Sequence, residues 1–250
     1  MLKFSWGRGN IASFSLEGEE MDYKVQQTKL ANNLGKLLRD NFGKGPQSIN
    51  VIISLPYVMV YVRGFISPME QVLLDQNQEL TVKTTREFLM KTIDPEIRGQ
   101  IQGITDMEVQ HIYYDWNLEK QSGIFVGVCK NTSPDLLSQY DYKAKDRIHE
   151  EIVQISEQAE KAPRFVSSYL ISPRALIVFR EGILVPIERQ LISLGFNETL
   201  RVAKRHLEGE MLQNNTHFPT ILQSKIIDTF VDWDFDLDNS VITLILKPEE

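Results

Sequence analysis

Hydrophobic positions along the chain follow two kinds of spacing, and the two kinds alternate. Leu30, Leu34 and Leu38 recur every four residues, which places them on one face of a helix predicted over residues 22–42. Gly43 follows directly, and glycine commonly ends a helix because it adopts the left-handed backbone conformation. The first predicted element is therefore an amphipathic helix.

Two extended segments come next. Ile49, Val51 and Ile53 alternate along the first segment, and residues 57–65 form a second run that is rich in valine and tyrosine. Pro56 stands at the turn between them. The spacing therefore predicts an antiparallel hairpin.

Helical features return after this hairpin. Residues 67–70 read Ser-Pro-Met-Glu, which combines an N-cap serine, a proline at the first helical position and the glutamate of a capping box. Helical spacing continues over residues 82–93. The Asp-Pro pair that begins residues 94–103 predicts a break in the helix, followed by a short turn.

A second hairpin closes the pattern. Alternating residues over 107–116 and the apolar run over 124–129 predict its two strands. The resulting order, α-β-β-α-β-β, groups the strands in hairpins with helices between them. We therefore predict an α+β fold in which an antiparallel sheet carries the helices on one face.

This whole pattern occurs twice. Residues 44–71 match residues 161–190, and residues 113–128 match residues 230–246. Repeats of this length are domains rather than solenoid units. The chain is therefore predicted to be a tandem pair of α-β-β-α-β-β domains.

Composition suggests the domain boundaries. An N-terminal extension covers residues 1–20, and alternating apolar residues over 2–16 predict a small hairpin within it. The first domain spans residues 21–130, a polar and charged linker spans 131–146, and the second domain spans 147–250. Each domain is large enough to bury its own hydrophobic core.

Residues that both copies keep indicate the scaffold. Those assigned to structural roles are Pro46, Gly64, Glu70, Asp115, Trp116, Arg180, Gly182, Glu188, Asp232 and Trp233. In both copies an arginine ends the second strand and a glutamate follows in the next helix, which predicts the ion pairs Arg63–Glu70 and Arg180–Glu188. Contact between these arginines and a bound anion is the alternative.

Composition also excludes several classes of protein. The 250 residues include 27 Lys and Arg against 34 Asp and Glu, and the net charge of −7 argues against a nucleic-acid-binding protein, which needs a basic surface. Cys129 is the only cysteine, so we predict neither an internal disulfide nor a cysteine-rich metal site. The chain begins without a secretory signal and has no apolar run of about 18 residues, so we expect a cytoplasmic protein.

Three motifs suggest chemistry but lack the spacing that the chemistry needs. The glycine-rich loop at residues 43–45 follows a helix, whereas phosphate-binding loops precede one, so we interpret it as a helix cap. Asp232, Asp234, Asp236 and Asp238 alternate, but the glycine and glutamate of a calcium loop are missing, which favours the solvated face and turn of an edge hairpin. The four histidines show no metal-ligand spacing, and we predict no metal and no cofactor.

An aromatic and acidic cluster is the best remaining candidate for a site. Tyr113 and Tyr114 precede Asp115 and Trp116, whereas the second copy keeps Asp-Trp and has lost both tyrosines. An aromatic pair beside a carboxylate can hold a cationic or planar ligand. The alternative is that the tryptophan belongs to the core and the aspartate caps the hairpin turn. The candidate ligand-binding residues are Lys44, Arg63, Tyr113 and Tyr114.

Several segments of the chain resemble a known family. Residues 24–129 resemble the MpsC-type domain of the Na+-translocating membrane-potential-generating system in the segments RDNFGKGP, RGF, Pro-Met-Glu and YYDWN. Residues 147–247 resemble a diverged copy that lacks the glycines of FGKGP. The resemblance implies a link to membrane sodium or bicarbonate uptake, and it supplies no catalytic residue.

Two hypotheses about function follow. The first is a non-catalytic cytoplasmic accessory or regulatory module, which a protein partner such as a membrane transport complex would hold at the membrane. The second is a small-ligand sensor or enzyme with a pocket in the first domain. Exposed sheet edges also predict a homodimer, and nucleic acid is not an expected partner.

Overall fold

The computed structural model describes residues 12–130, residue 137 and residues 139–247, with side chains from Tyr23 onward. Within these residues the chain forms two four-stranded antiparallel sheets, each with its own helices. The predicted α+β fold and its tandem duplication are confirmed.

The first domain follows the predicted order of elements. They are α1 (Ala12–Phe42), β1 (Ser48–Ser54), β2 (Tyr57–Arg63), α2 (Pro68–Asp75), α3 (Glu79–Thr105), β3 (Val109–Asn117) and β4 (Ser122–Cys129). The strands pair in the order β1-β2-β4-β3, so the two hairpins lie side by side and β1 and β3 are the edges of the sheet.

The second domain repeats this arrangement. Its elements are α4 (Lys145–Ala159), β5 (Phe165–Ser172), β6 (Ala175–Glu181), α5 (Pro186–Ser193), α6 (Asn197–Gln213), α7 (His217–Leu222), β7 (Ile226–Asp234) and β8 (Asn239–Leu246). The strand order is β5-β6-β8-β7, which is equivalent to that of the first sheet.

Helix α3 corrects one prediction. It continues through Pro95, where the sequence predicts a break. Its buried isoleucines, Ile93, Ile97 and Ile101, lie on both sides of this proline. Their burial in the core offsets the hydrogen bond that a proline removes from a helix.

The N-terminal hairpin requires a second correction. Helix α1 begins at Ala12, so Phe14 and Leu16 lie in a helix rather than in the returning strand of a hairpin. The first strand of that hairpin, residues 2–6, lies outside the described residues, as do residues 131–136 of the linker. Helix α1 also runs across the boundary predicted between the extension and the first domain.

Helix α2 starts with the predicted capping box. The Ser67 hydroxyl accepts a hydrogen bond from the backbone N–H of Glu70 at 3.3 Å, and the Glu70 carboxylate accepts one from the N–H of Ser67 at 2.7 Å. At the start of α5, Val185 has no side-chain acceptor, and only the bond from its N–H to Glu188 remains, at 2.9 Å. The two copies therefore differ by one hydrogen bond at equivalent positions.

Both predicted arginine–glutamate pairs are wrong. Arg63 is exposed at the end of β2, and Glu70 pairs with a different arginine. Arg180 is buried and pairs with Glu208 at 2.6 Å instead of with Glu188. The glutamates that begin α2 and α5 form their ion pairs with residues of the next long helix, α3 or α6. The sequence around each glutamate does not predict such a distant partner.

Arg86 and Lys204 are these partners, and they occupy equivalent positions in the two domains. Arg86 pairs with Glu70 at 2.7 Å and its guanidinium lies 4.6 Å from the centre of the Trp116 ring. Lys204 pairs with Glu188 at 2.6 Å and lies 5.0 Å from the ring of the equivalent tryptophan. The correspondence aligns α6 with the first 17 residues of α3.

Each sheet packs one face against its own helices and the other face against the second sheet. Val58, Val60 and Val62 face the helices, whereas Tyr57 and Met59 enter the core between the sheets. The second domain alternates in the same way. The middle core therefore joins the two domains.

Candidate interdomain site

The two candidate tyrosines lie on opposite faces of the first sheet, because neighbours along a strand alternate. Tyr113 is buried in the core between the sheets, beside Phe179. Tyr114 faces the helices, packs against Trp116 and donates a hydrogen bond from its hydroxyl to Glu87 at 2.8 Å. The two tyrosines therefore do not form one wall of a pocket.

The other two candidates lie elsewhere. Lys44 is in the bend after α1, where Gly43 has a positive φ of 74° and ends the helix as predicted. Arg63 lines a cavity of about 260 Å³ together with residues of the second domain. The structure does not gather the four candidate residues into a single site.

Asp115 and Asp232, which the repeat assigns to the scaffold, connect the two domains. The carboxylate of Asp115 accepts a hydrogen bond from the backbone N–H of Val231 at 2.9 Å. The carboxylate of Asp232 accepts one from the N–H of Tyr114 at 2.8 Å. Each aspartate bonds the residue that precedes its own counterpart, which is the arrangement of a two-fold interface.

A second pair of contacts repeats this symmetry. Asn117 donates a hydrogen bond to Asp228 at 2.9 Å, and the ring of His111 lies 3.1 Å from Asp234. Asn117 and Asp234 are equivalent in the repeat, as are His111 and Asp228. The edge strands β3 and β7 therefore face each other about a pseudo-two-fold axis.

A buried cluster of charges lies at this axis. Arg205 of α6 donates hydrogen bonds to Glu87 of α3, to Asp232 and to the backbone carbonyl of Tyr114, and its Nε lies 3.3 Å from Asp115. The three carboxylates and the guanidinium belong to residues that are at most 8% exposed. Charged hydrogen bonds in such a setting fix the relative position of the two domains.

Burial also governs the titration of this cluster. It raises the pKa of Asp115 to about 7, although Arg205 and the backbone amides of Val231 and Trp116 oppose the shift. Burial likewise raises the pKa of Tyr114, so its hydroxyl stays protonated and remains a hydrogen-bond donor. The raised pKa brings the titration of the Asp115 carboxyl close to neutral pH.

A cleft of about 770 Å³ opens beside the charge cluster. Helices α2 and α3 and the β3–β4 turn form one wall, and α6 of the second domain forms the other. Asp115 and Arg205 line it from the cluster side. Further acidic side chains along the cleft are Asp75, Glu79, Glu119 and Glu210. Its size and polarity suit a small polar ligand.

The two copies differ at the wall of this cleft. In the second domain, Arg201 reaches Asp232 and donates a hydrogen bond to it. The counterpart of Arg201 in the first domain is Lys83, which pairs with Glu79 on its own helix at 2.7 Å. Asp115 therefore lines the open cleft, whereas the equivalent aspartate is covered by an arginine.

An apolar groove of about 550 Å³ adjoins the cleft and lies between α3 and α6. Leu80, Val202 and Ala203 line it, and Leu80 is 65% exposed. Phe88, two turns further along α3, is also exposed. An apolar groove with an exposed leucine at its wall is typical of contact surfaces.

Sequence reasoning missed the two residues at the centre of the site, Glu87 and Arg205. Their helices were predicted from apolar spacing, which says nothing about charged neighbours. The usable signal is the alignment of Arg86-Glu87 with Lys204-Arg205, because one copy has an acid where the other has a base. Opposite charges at equivalent positions are expected where a repeat contacts itself.

The aspartates of the second hairpin have two different roles. Asp234 accepts hydrogen bonds from the N–H groups of Asp236 and Leu237 in the β7–β8 turn, as a hairpin predicts. Asp232 is buried at the axis, so its placement on a solvated face is wrong. Among the described residues, no group of His, Cys, Asp or Glu side chains is arranged to hold a metal ion.

Comparison with known proteins identifies the family. A family model described as Na+-translocating membrane potential-generating system (MpsC) matches residues 24–131 and matches again at residues 142–248. The chain belongs to the MpsC family. Both of its MpsC domains contribute to the cleft and to the charge cluster. No curated protein and no solved structure shows significant similarity to the chain.

The MpsC description refers to a membrane system, which raises the question of whether a helix of this chain could itself cross the membrane. In the part of the chain that the structure describes, no helix combines the length and the apolar character needed to cross a bilayer.

Proposed function

We propose that this MpsC protein is a non-catalytic accessory or regulatory component of a membrane-linked Na+ or bicarbonate uptake system and acts by binding a protein partner. The observation that carries the proposal is the family match to both domains, since the family is described as a Na+-translocating membrane potential-generating system. Association with the membrane would take place through this partner.

The apolar groove between α3 and α6 supports a protein partner. Leu80 lines the groove and is 65% exposed, and Phe88, two turns further along α3, is 58% exposed, although the opposite face of this helix is buried in the core. Apolar side chains in this setting gain stability when another protein covers them. We therefore place the contact with the partner at this groove.

The first experiment asks whether the groove binds the partner. Tagged full-length protein is recovered from membranes of its native host, and proteins that copurify are identified by mass spectrometry. We expect an integral membrane component of an ion-uptake system with the wild type, and a several-fold lower yield with Leu80→Glu. Leu237→Glu is the matched control, because Leu237 is 48% exposed but lies in the β7–β8 turn. Recovery of the same component with both variants would contradict the assignment of the groove.

The second experiment addresses the physiological link. A strain that lacks the gene is compared with its parent for Na+-dependent membrane potential and bicarbonate uptake. We expect both to fall, and expression of the wild-type chain to restore them. Unchanged values in the deletion strain would count against the proposed function, whatever the groove binds.

The polar cleft favours a second candidate, a small-ligand sensor. Native mass spectrometry of freshly purified protein reports any retained ligand and the oligomeric state together. Gly209→Leu would narrow the cleft, because Gly209 lines it and an added Cβ meets no atom within 4 Å. Gly99→Leu is the control, since Gly99 also lies in a helix with the same free space. A retained mass that both variants keep equally would exclude this cleft.

A further inference from the structure

The contact between the two MpsC domains has the geometry of a contact between identical copies. Asp115 and Asp232 each bond a backbone N–H of the opposite domain. Every copy of the domain presents the same backbone groups, so these bonds alone do not distinguish a like copy from an unlike one. As far as these two bonds are concerned, the edge of β3 could accept a second β3 edge as readily as it accepts β7.

The side chains at the axis do make this distinction. Arg86 and Lys204 are equivalent, so the residues that follow them, Glu87 and Arg205, are equivalent too. These two side chains contact each other directly. In a two-fold contact, a residue meets its own counterpart only next to the axis. Glu87 and Arg205 therefore lie next to the axis, where a self-contact brings identical residues together.

Pairing of like domains would place like charges at this buried position. Two copies of the first domain would bring together two Glu87 and two Asp115 carboxylates without the guanidinium that now lies among them. Two copies of the second domain would bring together two Arg205 and two Arg201 guanidiniums against two Asp232 carboxylates. The unlike pair has three carboxylates against the guanidiniums of Arg201 and Arg205, which is closer to balance than either like pair. Buried charges without partners are strongly unfavourable, so the unlike pair is favoured.

We infer that the Glu87–Arg205 pair makes each MpsC domain of this chain selective for the other domain and excludes pairing with a like copy. The interaction surface at β3 and α3 thus fits a second MpsC domain that carries a base at the axis. This inference concerns assembly of the domains and does not depend on the proposed function.

The test uses full-length protein, because one substitution reproduces the carboxylates of a like pair. Arg205→Glu places four carboxylates at the axis, the number in a self-pair of the first domain, while Arg201 stays bonded to Asp232. Arg205→Gln has the same size as that variant and removes the charge without reversing it. We expect the midpoint of thermal unfolding to be lower for Arg205→Glu than for Arg205→Gln by roughly 5–10 °C. Equal midpoints would overturn the inference.

The charge-swapped double variant Glu87→Arg/Arg205→Glu supplies the second arm. It restores an unlike pair, and the symmetry of the axis keeps both aspartates beside the new arginine. We expect it to unfold at a higher temperature than Arg205→Glu. Lys91→Glu is the control at the exposed pair Lys91–Glu198 between the same helices, and it should stay within about 2 °C of the wild type.

The double variant also decides the matter if Arg205→Glu does not fold. A folded double variant then supports the inference, because only the second charge reversal differs between the two proteins. A double variant that melts no higher than Arg205→Glu, or that fails to fold while Arg205→Gln folds, overturns it.

Discussion

The two domains bury a cation at the same position in two different ways. In the first domain, Arg86 lies over the rings of Phe42, Phe65 and Trp116 and pairs with one carboxylate, that of Glu70. The rings stabilise the guanidinium through their electron-rich faces and add no charge of their own. This arrangement depends on shape rather than on charge balance.

In the second domain, the equivalent cation belongs to a network of charges. Lys204 pairs with Glu160 and Glu188 and lies 3.7 Å from Glu208, which pairs with Arg180. Five ionisable side chains are thus enclosed together, each at most 10% exposed. Burial and the neighbouring Glu208 raise the pKa of Glu160 to about 7. A buried cation at the same position of the fold can therefore be stabilised by packing against aromatic rings or by a network of opposite charges. Different substitutions should destabilise the two arrangements.

Removing one carboxylate of the network should have the largest effect. Glu208→Met installs the residue that the first domain has at this position, Met90, and leaves Arg180 without its buried partner. We expect the free energy of unfolding to fall by about 3–5 kcal/mol in urea titrations followed by tryptophan fluorescence. Met90→Leu in the first domain is the control and should cost less than about 1.5 kcal/mol.

The double variant Arg180→Met/Glu208→Met separates charge balance from packing. Because it removes both members of the pair, it should recover most of the lost stability. A double variant as unstable as Glu208→Met would mean that packing, not charge, holds this core together.

Acidity should affect the second domain through Glu160. Its pKa is higher in the folded protein than the value of 4.5 for an ordinary glutamate, so the folded state binds this proton more tightly than the unfolded state does. The contribution to stability is therefore present at low pH and is lost as pH rises from about 4.5 to about 7. Its size is at most about 3.5 kcal/mol, since the two pKa values differ by about 2.5 units and one unit corresponds to about 1.4 kcal/mol.

The measurement is the free energy of unfolding at several pH values between 4.5 and 8 for the wild type and for Glu160→Gln. We expect the variant to lose less stability than the wild type across this range. Asp115 titrates in both proteins, so the difference between the two curves isolates Glu160. Parallel curves would show that Glu160 does not titrate with folding.

The first domain should respond to a change of shape at constant charge. Arg86→Lys keeps the cation but loses the second hydrogen bond to Glu70 and the bond to the carbonyl of Phe65 at 2.8 Å. We expect a loss of about 1–3 kcal/mol in the free energy of unfolding. Arg164→Lys, at a largely exposed arginine, should change it by less than about 0.5 kcal/mol. An equal loss in both variants would mean that the hydrogen-bonding shape of the buried guanidinium has no special role.

The same comparison explains what the sequence could and could not predict. The hairpins of the two sheets and the Ser67 cap were predictable because their signals are local in the chain. The ion-pair partner of Glu70 was not predictable from the sequence, because Arg86 belongs to α3, which packs against α2. The predicted break at Pro95 failed because tertiary packing of the isoleucines outweighs a local preference.

The interdomain site was harder still. Asp115 was identified as shared scaffold, but its bond to Val231 joins two copies of the repeat, and periodicity within one copy carries no information about that contact. Tyr113 and Tyr114 were predicted to bind a ligand because only one copy has them. Neighbouring residues of a strand alternate, so their rings lie on opposite faces of the sheet. A residue that only one copy of the repeat has is therefore not by itself evidence of a binding site. The fold must also bring such residues together on one face.

The smallest effect should come from the helix caps, where the domains differ by one hydrogen bond. Ser67→Ala removes the acceptor for the N–H of Glu70 and should lower the free energy of unfolding by about 1 kcal/mol. Val185→Ser supplies the missing acceptor beside Glu188, whose return bond is already formed, and should offset part of the apolar contact that it loses. The double variant tests independence of the two caps, because sites in different domains should have additive effects. If Val185→Ser destabilises the protein as much as Val185→Ala, then the return bond alone is sufficient to start helix α5.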